Sequence, residues 1–103
     1  MNKSVGILEV YGLTTAFVAA DAGCKAANVS LEDFDRNKPA NAENLPVPLL
    51  VTVKFRGTVE NVTAAVDAAE TTALLYGGVS IKHIIANPTE GTAAMLTLSG
   101  FDK

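Results

Sequence analysis

Leu49-Leu50-Val51-Thr52-Val53-Lys54-Phe55-Arg56, then Gly57-Thr58, then Val59, Val62, Val66 and Ala69 at helical spacing, is the stretch on which the fold turns. Its first eight residues are rich in strand formers and short enough to be a strand. Gly57 closes that strand. Thr58 is a good helix cap, and Glu60 brings a negative charge into the first turn, where the helix dipole favours it. The apolar stripe carries the helix to about Tyr76, and Gly77-Gly78 stops it. Val79-Ser80-Ile81-Lys82-His83-Ile84-Ile85 is then a strand. One strand–helix–strand unit is complete at residue 85.

The preceding half has the same order. Gly6-Ile7-Leu8-Glu9-Val10-Tyr11 reads as a strand and Gly12 punctuates it. Residues 13–27 read as a helix, capped by Thr14 or Thr15, with Leu13, Phe17, Ala20 and Cys24 as its buried stripe. Asn28 is expected to end it in the left-handed conformation. Val29-Ser30-Leu31-Glu32-Asp33-Phe34 restarts the alternation. Val18-Ala19-Ala20-Asp21-Ala22 in this half echoes Ala64-Ala65-Val66-Asp67-Ala68-Ala69 in the other. Between the halves, residues 36–48 hold three of the four prolines, which cannot donate to a strand ladder, so this is a long loop. Asn87-Pro88-Thr89-Glu90 looks like a cap, a first-position proline and a third-position glutamate opening a short helix over residues 88–96.

Two such halves with right-handed crossovers give an α/β (α+β) fold of the ferredoxin-like βαββαβ kind: a four-stranded antiparallel sheet, helices packed on one face, and a short C-terminal helix. Residues 4–96 form a single domain, and residues 97–103 are a tail. With 103 residues there is room for one domain only. Its apolar content is mostly Ala, Val and Leu, with few aromatics and no Trp, which predicts a thin core and stability drawn from subunit contacts.

Composition also excludes function classes. A net charge of −3 without a basic stripe is poorly suited to nucleic acid. No apolar run approaches the length that spans a lipid membrane. Met1-Asn2-Lys3-Ser4 leads straight into a strand, so no signal peptide is expected. A single Cys excludes an internal disulfide and fits a reducing cytosol.

No catalytic constellation is legible. The one His and the one Cys lie on different elements. Cys24 is expected in the core as an inert small hydrophobe. His83 is expected to be a partly buried structural residue sharing a strand face with Ile81 and Ile85, while Lys82 and Ile84 take the other. No second His or Cys stands at metal-ligand spacing. Asp33 and Asp35 share a strand parity, but a solvated strand end is the better reading than an acid–base pair. Gly77-Gly78 follows a helix, whereas phosphate-binding glycine loops precede one. No catalytic residues, metal or cofactors are therefore expected.

Four segments together carry a resemblance. Ser4-Val5-Gly6-Ile7-Leu8-Glu9-Val10-Tyr11-Gly12-Leu13 is similar to the opening strand and Gly-Leu helix start of the bacterial microcompartment shell domain family. Ala19-Ala20-Asp21-Ala22-Gly23-Cys24-Lys25-Ala26-Ala27-Asn28-Val29 resembles its first-helix signature, in which an "AADA" run leads to a lysine and "AANV". Arg56-Gly57-Thr58-Val59 resembles its entry into the second helix. Lys82-His83-Ile84-Ile85-Ala86-Asn87-Pro88 resembles its "HVIxRP" ending. The likeness covers about residues 4–96, in order.

The resemblance implies a structural, non-enzymatic protein of the bacterial cytoplasm. It forms a cyclic homo-hexamer that tiles with other microcompartment shell proteins around encapsulated enzymes, with a central pore for small metabolites. It assigns the pore loop to Arg36, Asn37, Lys38, Pro39, Ala40, Asn41, Ala42, Glu43 and Asn44. It assigns assembly at the hexamer edge to Lys25, Asn28, Asn87 and Pro88. Lys25 stands at the family's edge lysine, whose flexible stem and three donors suit a reach to a neighbour's carbonyls.

Two departures stand out. Asn87 replaces the arginine that usually precedes the proline, a change of charge and reach. The loop is also several residues longer than the family's Lys-Ile-Gly-Ser-Gly type of turn. Enlarged loops of some relatives hold an iron–sulfur cluster on cysteines. This one has no cysteine, so no cluster is expected. The enlargement still suggests a divergent member from a compartment built around a glycyl-radical enzyme. The rival reading is a ferredoxin-like small-molecule-binding regulatory protein acting as a small oligomer. It leaves the signature around Lys25 unexplained.

Overall fold

The computed structural model describes residues 4–37 and 49–97. Eight elements follow in order: β1 (Ser4–Tyr11), α1 (Leu13–Ala26), β2 (Ser30–Leu31), β3 (Asp35–Asn37), β4 (Leu50–Gly57), α2 (Val59–Leu74), β5 (Val79–Ile85) and α3 (Glu90–Met95). β1 lies between β4 and β5, and β2 and β3 both pair with the free side of β4. Every pairing is antiparallel. This is the expected ferredoxin-like sheet with one change: the single second strand expected over residues 29–34 is broken in two.

The register explains the break. Leu31 stands opposite Phe55, and Asp35 stands opposite Thr52. Three residues, Glu32, Asp33 and Phe34, therefore face two, Val53 and Lys54. That extra residue is a bulge, and it shifts the alternation by one. The strand parity that would pair Asp33 with Asp35 does not hold across it. Arg36 and Asn37 lie in β3 and not in a loop.

Alternation along β1 and β4 sorts the two faces. Leu8, Val10, Val51, Val53 and Phe55 point to the helices and are fully buried with Val62, Val66 and six alanines of α1 and α2. The core is as thin as composition predicts, with Phe55 its one aromatic among the described residues. Val62, Val66 and Ala69 form the α2 stripe as expected, joined by Ala65 and Ala73, while Val59 is largely exposed. Thr58 caps α2 as expected, its hydroxyl accepting the Asn61 N–H at 3.2 Å.

Helix α1 departs from its expected stripe. It buries Thr15, Ala16, Ala19, Ala20 and Gly23, whereas Leu13, Phe17 and Cys24 face outward. Close packing selected the smallest side chains, not the most apolar ones. A Cβ on Gly23 would collide with the Cζ–Cε1 edge of the Phe55 ring and stand 3.0 Å from the Ala65 carbonyl oxygen. Neither Thr14 nor Thr15 caps the helix. The N-cap is Gly12, and the buried Thr15 hydroxyl accepts the Gly77 N–H at 3.0 Å, tying α1 to the turn after α2. Nor does Asn28 end α1 in a left-handed conformation: Ala27 leaves it in extended backbone, and among described residues only Gly12 and Gly78 have positive φ.

Helix α3 begins later than expected. Its N-cap is Thr89, whose hydroxyl accepts the Thr92 N–H at 3.2 Å, and not Asn87. Pro88 therefore lies outside the helix.

Candidate assembly surfaces

The sheet has two ends, and the candidate residues divide between them. At one end Ser4 pairs with Gly57, and the Ser4 hydroxyl donates to the Ala86 carbonyl at 2.6 Å. The Asn28 carbonyl lies against Gly57, where a Cβ would meet it at 3.2 Å. So the end of α1, Asn28, the end of β5 and the Ala86-Asn87-Pro88 turn gather here. At the other end Tyr11 pairs with Leu50 and Asn37 stands opposite Leu50. β4 has eight residues, which separates the two ends by roughly 24 Å at ~3.4 Å per residue.

Lys25 sits in the last turn of α1 with its side chain 76% exposed, and pairs with Asp21 one turn back at 2.7 Å. The hydrogen bond from its ammonium to Asp21, and that carboxylate's charge, raise its pKa. An exposed i,i+4 pair of this kind holds the side chain weakly, leaving it able to exchange partners. Asn28 and Asn87 are exposed and Pro88 is half-buried. Arg36 is exposed in β3, and Asn37 ends that strand. Lys38, Pro39, Ala40, Asn41, Ala42, Glu43 and Asn44 lie outside the described residues.

Two expectations are corrected. Cys24 is exposed and not a core residue. Desolvation and the nearby Asp21 raise its pKa, which keeps it a thiol and a weak nucleophile. His83 is exposed and not partly buried, although it shares the sheet's second face with Ile81 and Ile85 as the alternation predicted. Among the described residues no group of three His, Cys, Asp or Glu side chains stands where it could hold a metal ion. No described helix is long and apolar enough to cross a membrane.

Sequence reasoning missed two features. Leu74, Leu75 and Tyr76, at the end of α2, are 62%, 79% and 61% exposed. Their run of three consecutive apolar residues before Gly77-Gly78 was a legible signal, because a helix cannot bury three neighbours on one stripe. The second is Lys54, buried to 4% in mid-strand, its ammonium donating to the Leu96 carbonyl at 2.8 Å. Only its position in a strand otherwise composed for burial hinted at it.

The described residues form a ferredoxin-like sheet and helix domain with exposed apolar side chains at the end of α2. The comparisons make this specific. The BMC domain family matches residues 4–88. The chain is 38% identical over 87 residues to the bacterial microcompartment shell protein PduA of Citrobacter freundii, covering 84% of each chain. It is 32% identical to the carboxysome shell protein CcmK3 of Halothece sp., covering all of this chain and 94% of that one. A microcompartments protein from Desulfitobacterium hafniense DCB superposes with a TM-score of 0.71 at 28% identity, over 94% of this chain. This chain spans about half, 48%, of that structure's length. The protein belongs to the bacterial microcompartment (BMC) domain family, a family of structural shell proteins.

Proposed function

We propose that this protein is a structural tile of a bacterial microcompartment shell in the cytoplasm: a cyclic homo-hexamer that joins other shell proteins edge to edge and carries a pore for small metabolites on its axis. The observation that carries the reading is the family match across residues 4–88. The fold supports it physically. A subunit whose core is largely alanine and valine, with Leu74, Leu75 and Tyr76 exposed, lowers its free energy by covering those side chains with another copy.

The distribution of candidates between the sheet's two ends also supports the reading. In a ring, one end of each subunit would meet the axis and the other the rim. Arg36 to Asn44 would then line the pore, while Lys25, Asn28, Asn87 and Pro88 would meet the adjoining hexamer. Six copies of Arg36, Lys38 and Glu43 around one axis would set which charged metabolites approach. The role is structural, and no residue is assigned to catalysis.

Native mass spectrometry of the purified full chain, with electron microscopy of the overexpressed protein, tests the proposal. Six-fold masses together with flat sheets or tubes are expected. A monomer at every concentration, or a dimer or trimer stabilised by a small ligand, would replace the tile with the regulatory reading.

A further inference from the structure

We infer that the ring closes flank to flank, the outer stripe of α1 in one copy packing along the outer stripe of α2 in the next. The inference rests on the proposed ring and names the two surfaces that build it.

Helix α1 packs over β4 and reaches β2, whereas α2 packs over β1 and reaches β5, so each helix borders one flank of the sheet. α1 is apolar on two sides. Ala16, Ala19, Ala20 and Gly23 face the core, while Leu13, Phe17 and Cys24 recur at helical spacing on the outside. A helix apolar on both sides is made to be covered on both. Phe17 is 59% exposed, and its ring meets that of Phe34, between β2 and β3, at 5.2 Å and 59°. This contact sets the outer stripe on the flank of β2 and β3.

On the opposite flank, Asp67 and Glu70 hold Lys82 of the edge strand β5, so the α2 stripe that carries them faces that way. Thr63, one turn before Asp67, and Leu74, one turn after Glu70, continue the stripe and are exposed. The two helices run in opposite directions. α1 starts at the sheet end where the Gly12 N–H donates to the Leu49 carbonyl, and α2 returns to it, where the Gly78 carbonyl accepts the Tyr11 N–H. Leu13, Phe17 and Leu74 therefore lie toward this end, and Cys24 and Thr63 toward the other. Rotation about a ring axis carries every residue to the same radius in the next copy. It brings Leu13 and Phe17 of one copy to Leu74 of its neighbour, and Cys24 to Thr63. Large apolar side chains then meet large ones and small side chains meet small ones. Two unlike patches on opposite flanks close a ring, whereas one self-complementary patch stops at a pair.

Crosslinking of the full-length protein tests this. Thr63→Cys places a second thiol on the flank opposite Cys24. A short bismaleimide added to the dilute oligomer should then give a ladder of covalent species up to the hexamer on a denaturing gel, because each chain is joined through two different thiols. The wild type, with Cys24 alone, can give dimers at most. Hexamers by native mass spectrometry whose Thr63→Cys chains stay monomeric or stop at dimers overturn the flank assignment and leave the ring standing. A wild-type monomer at every concentration removes the ring and the inference with it. Phe17→Asp is the second variant. It should raise the concentration at which hexamers dissociate by about tenfold or more, the scale of burying an unpaired carboxylate, with the circular dichroism spectrum kept. Unchanged dissociation in a folded Phe17→Asp protein also overturns the inference. Should Phe17→Asp not fold, the crosslinked ladder decides alone.

Discussion

Gly23 and Lys25 stand two positions apart on α1 and answer to different neighbours. Gly23 lets the helix settle onto Phe55, with no space for even one methyl group. Gly23→Ala must push the ring or the helix outward, and overpacking of this kind costs about 1–3 kcal/mol. A lowered melting temperature with the secondary-structure content kept is the expected result, measured by circular dichroism. Lys25 pairs with Asp21 one turn back on the same helix. Lys25→Ala should leave the melting temperature and the hexamer mass unchanged while reducing sheet formation under the electron microscope. Unchanged sheets would remove Lys25 from the proposed edge. The "AADA…KAANV" signature made Lys25 legible. The need for glycine at residue 23 was not legible, because it is imposed by a ring thirty-two residues away in the chain.

Between elements, charge ties β5 to α2. Lys82 donates to Glu70 at 2.8 Å and lies 3.7 Å from Asp67. The hydrogen bond to Glu70 raises the Lys82 pKa above its usual 10.5. A raised folded-state pKa means that this contribution is complete below the usual lysine value and is lost as pH climbs through the raised one. Lys54 has the opposite sign: its lowered pKa makes its burial cost complete below that lowered value and relieves it as pH climbs from there to the usual 10.5. The melting-temperature difference between wild type and Lys82→Met should therefore be constant at neutral pH and shrink under alkaline conditions above the usual lysine value. Scanning fluorimetry across that range measures it, and a difference that grows with pH would contradict the assignment. The alternation around Lys82 and His83 was legible in the sequence. The bulge at Glu32, Asp33 and Phe34 was not, because an extra residue in one strand is defined only against its partner.

At the scale of the molecule, the exposed end of α2 is the feature the isolated subunit explains least. Three consecutive apolar side chains stay out of the core while alanines fill it. Under the proposed ring they are covered by a second copy. Leu75→Asn should then leave the subunit folded, since the side chain is 79% exposed, and shift native mass spectra from hexamers toward monomers. Hexamers of unchanged abundance would show that another surface closes the ring.

The order of strands and helices, the single antiparallel sheet, the α2 stripe and the family were all determined by the sequence itself. They rest on local periodicity, capping chemistry and contiguous motifs, which need no partner to be read. Tertiary structure alone decided which face of α1 is buried, where the edge strand breaks, that Cys24 and His83 meet solvent, and that Lys54 is buried against Leu96. Each of these is a contact between segments distant in the chain, and burial is a property of the pair, not of either residue.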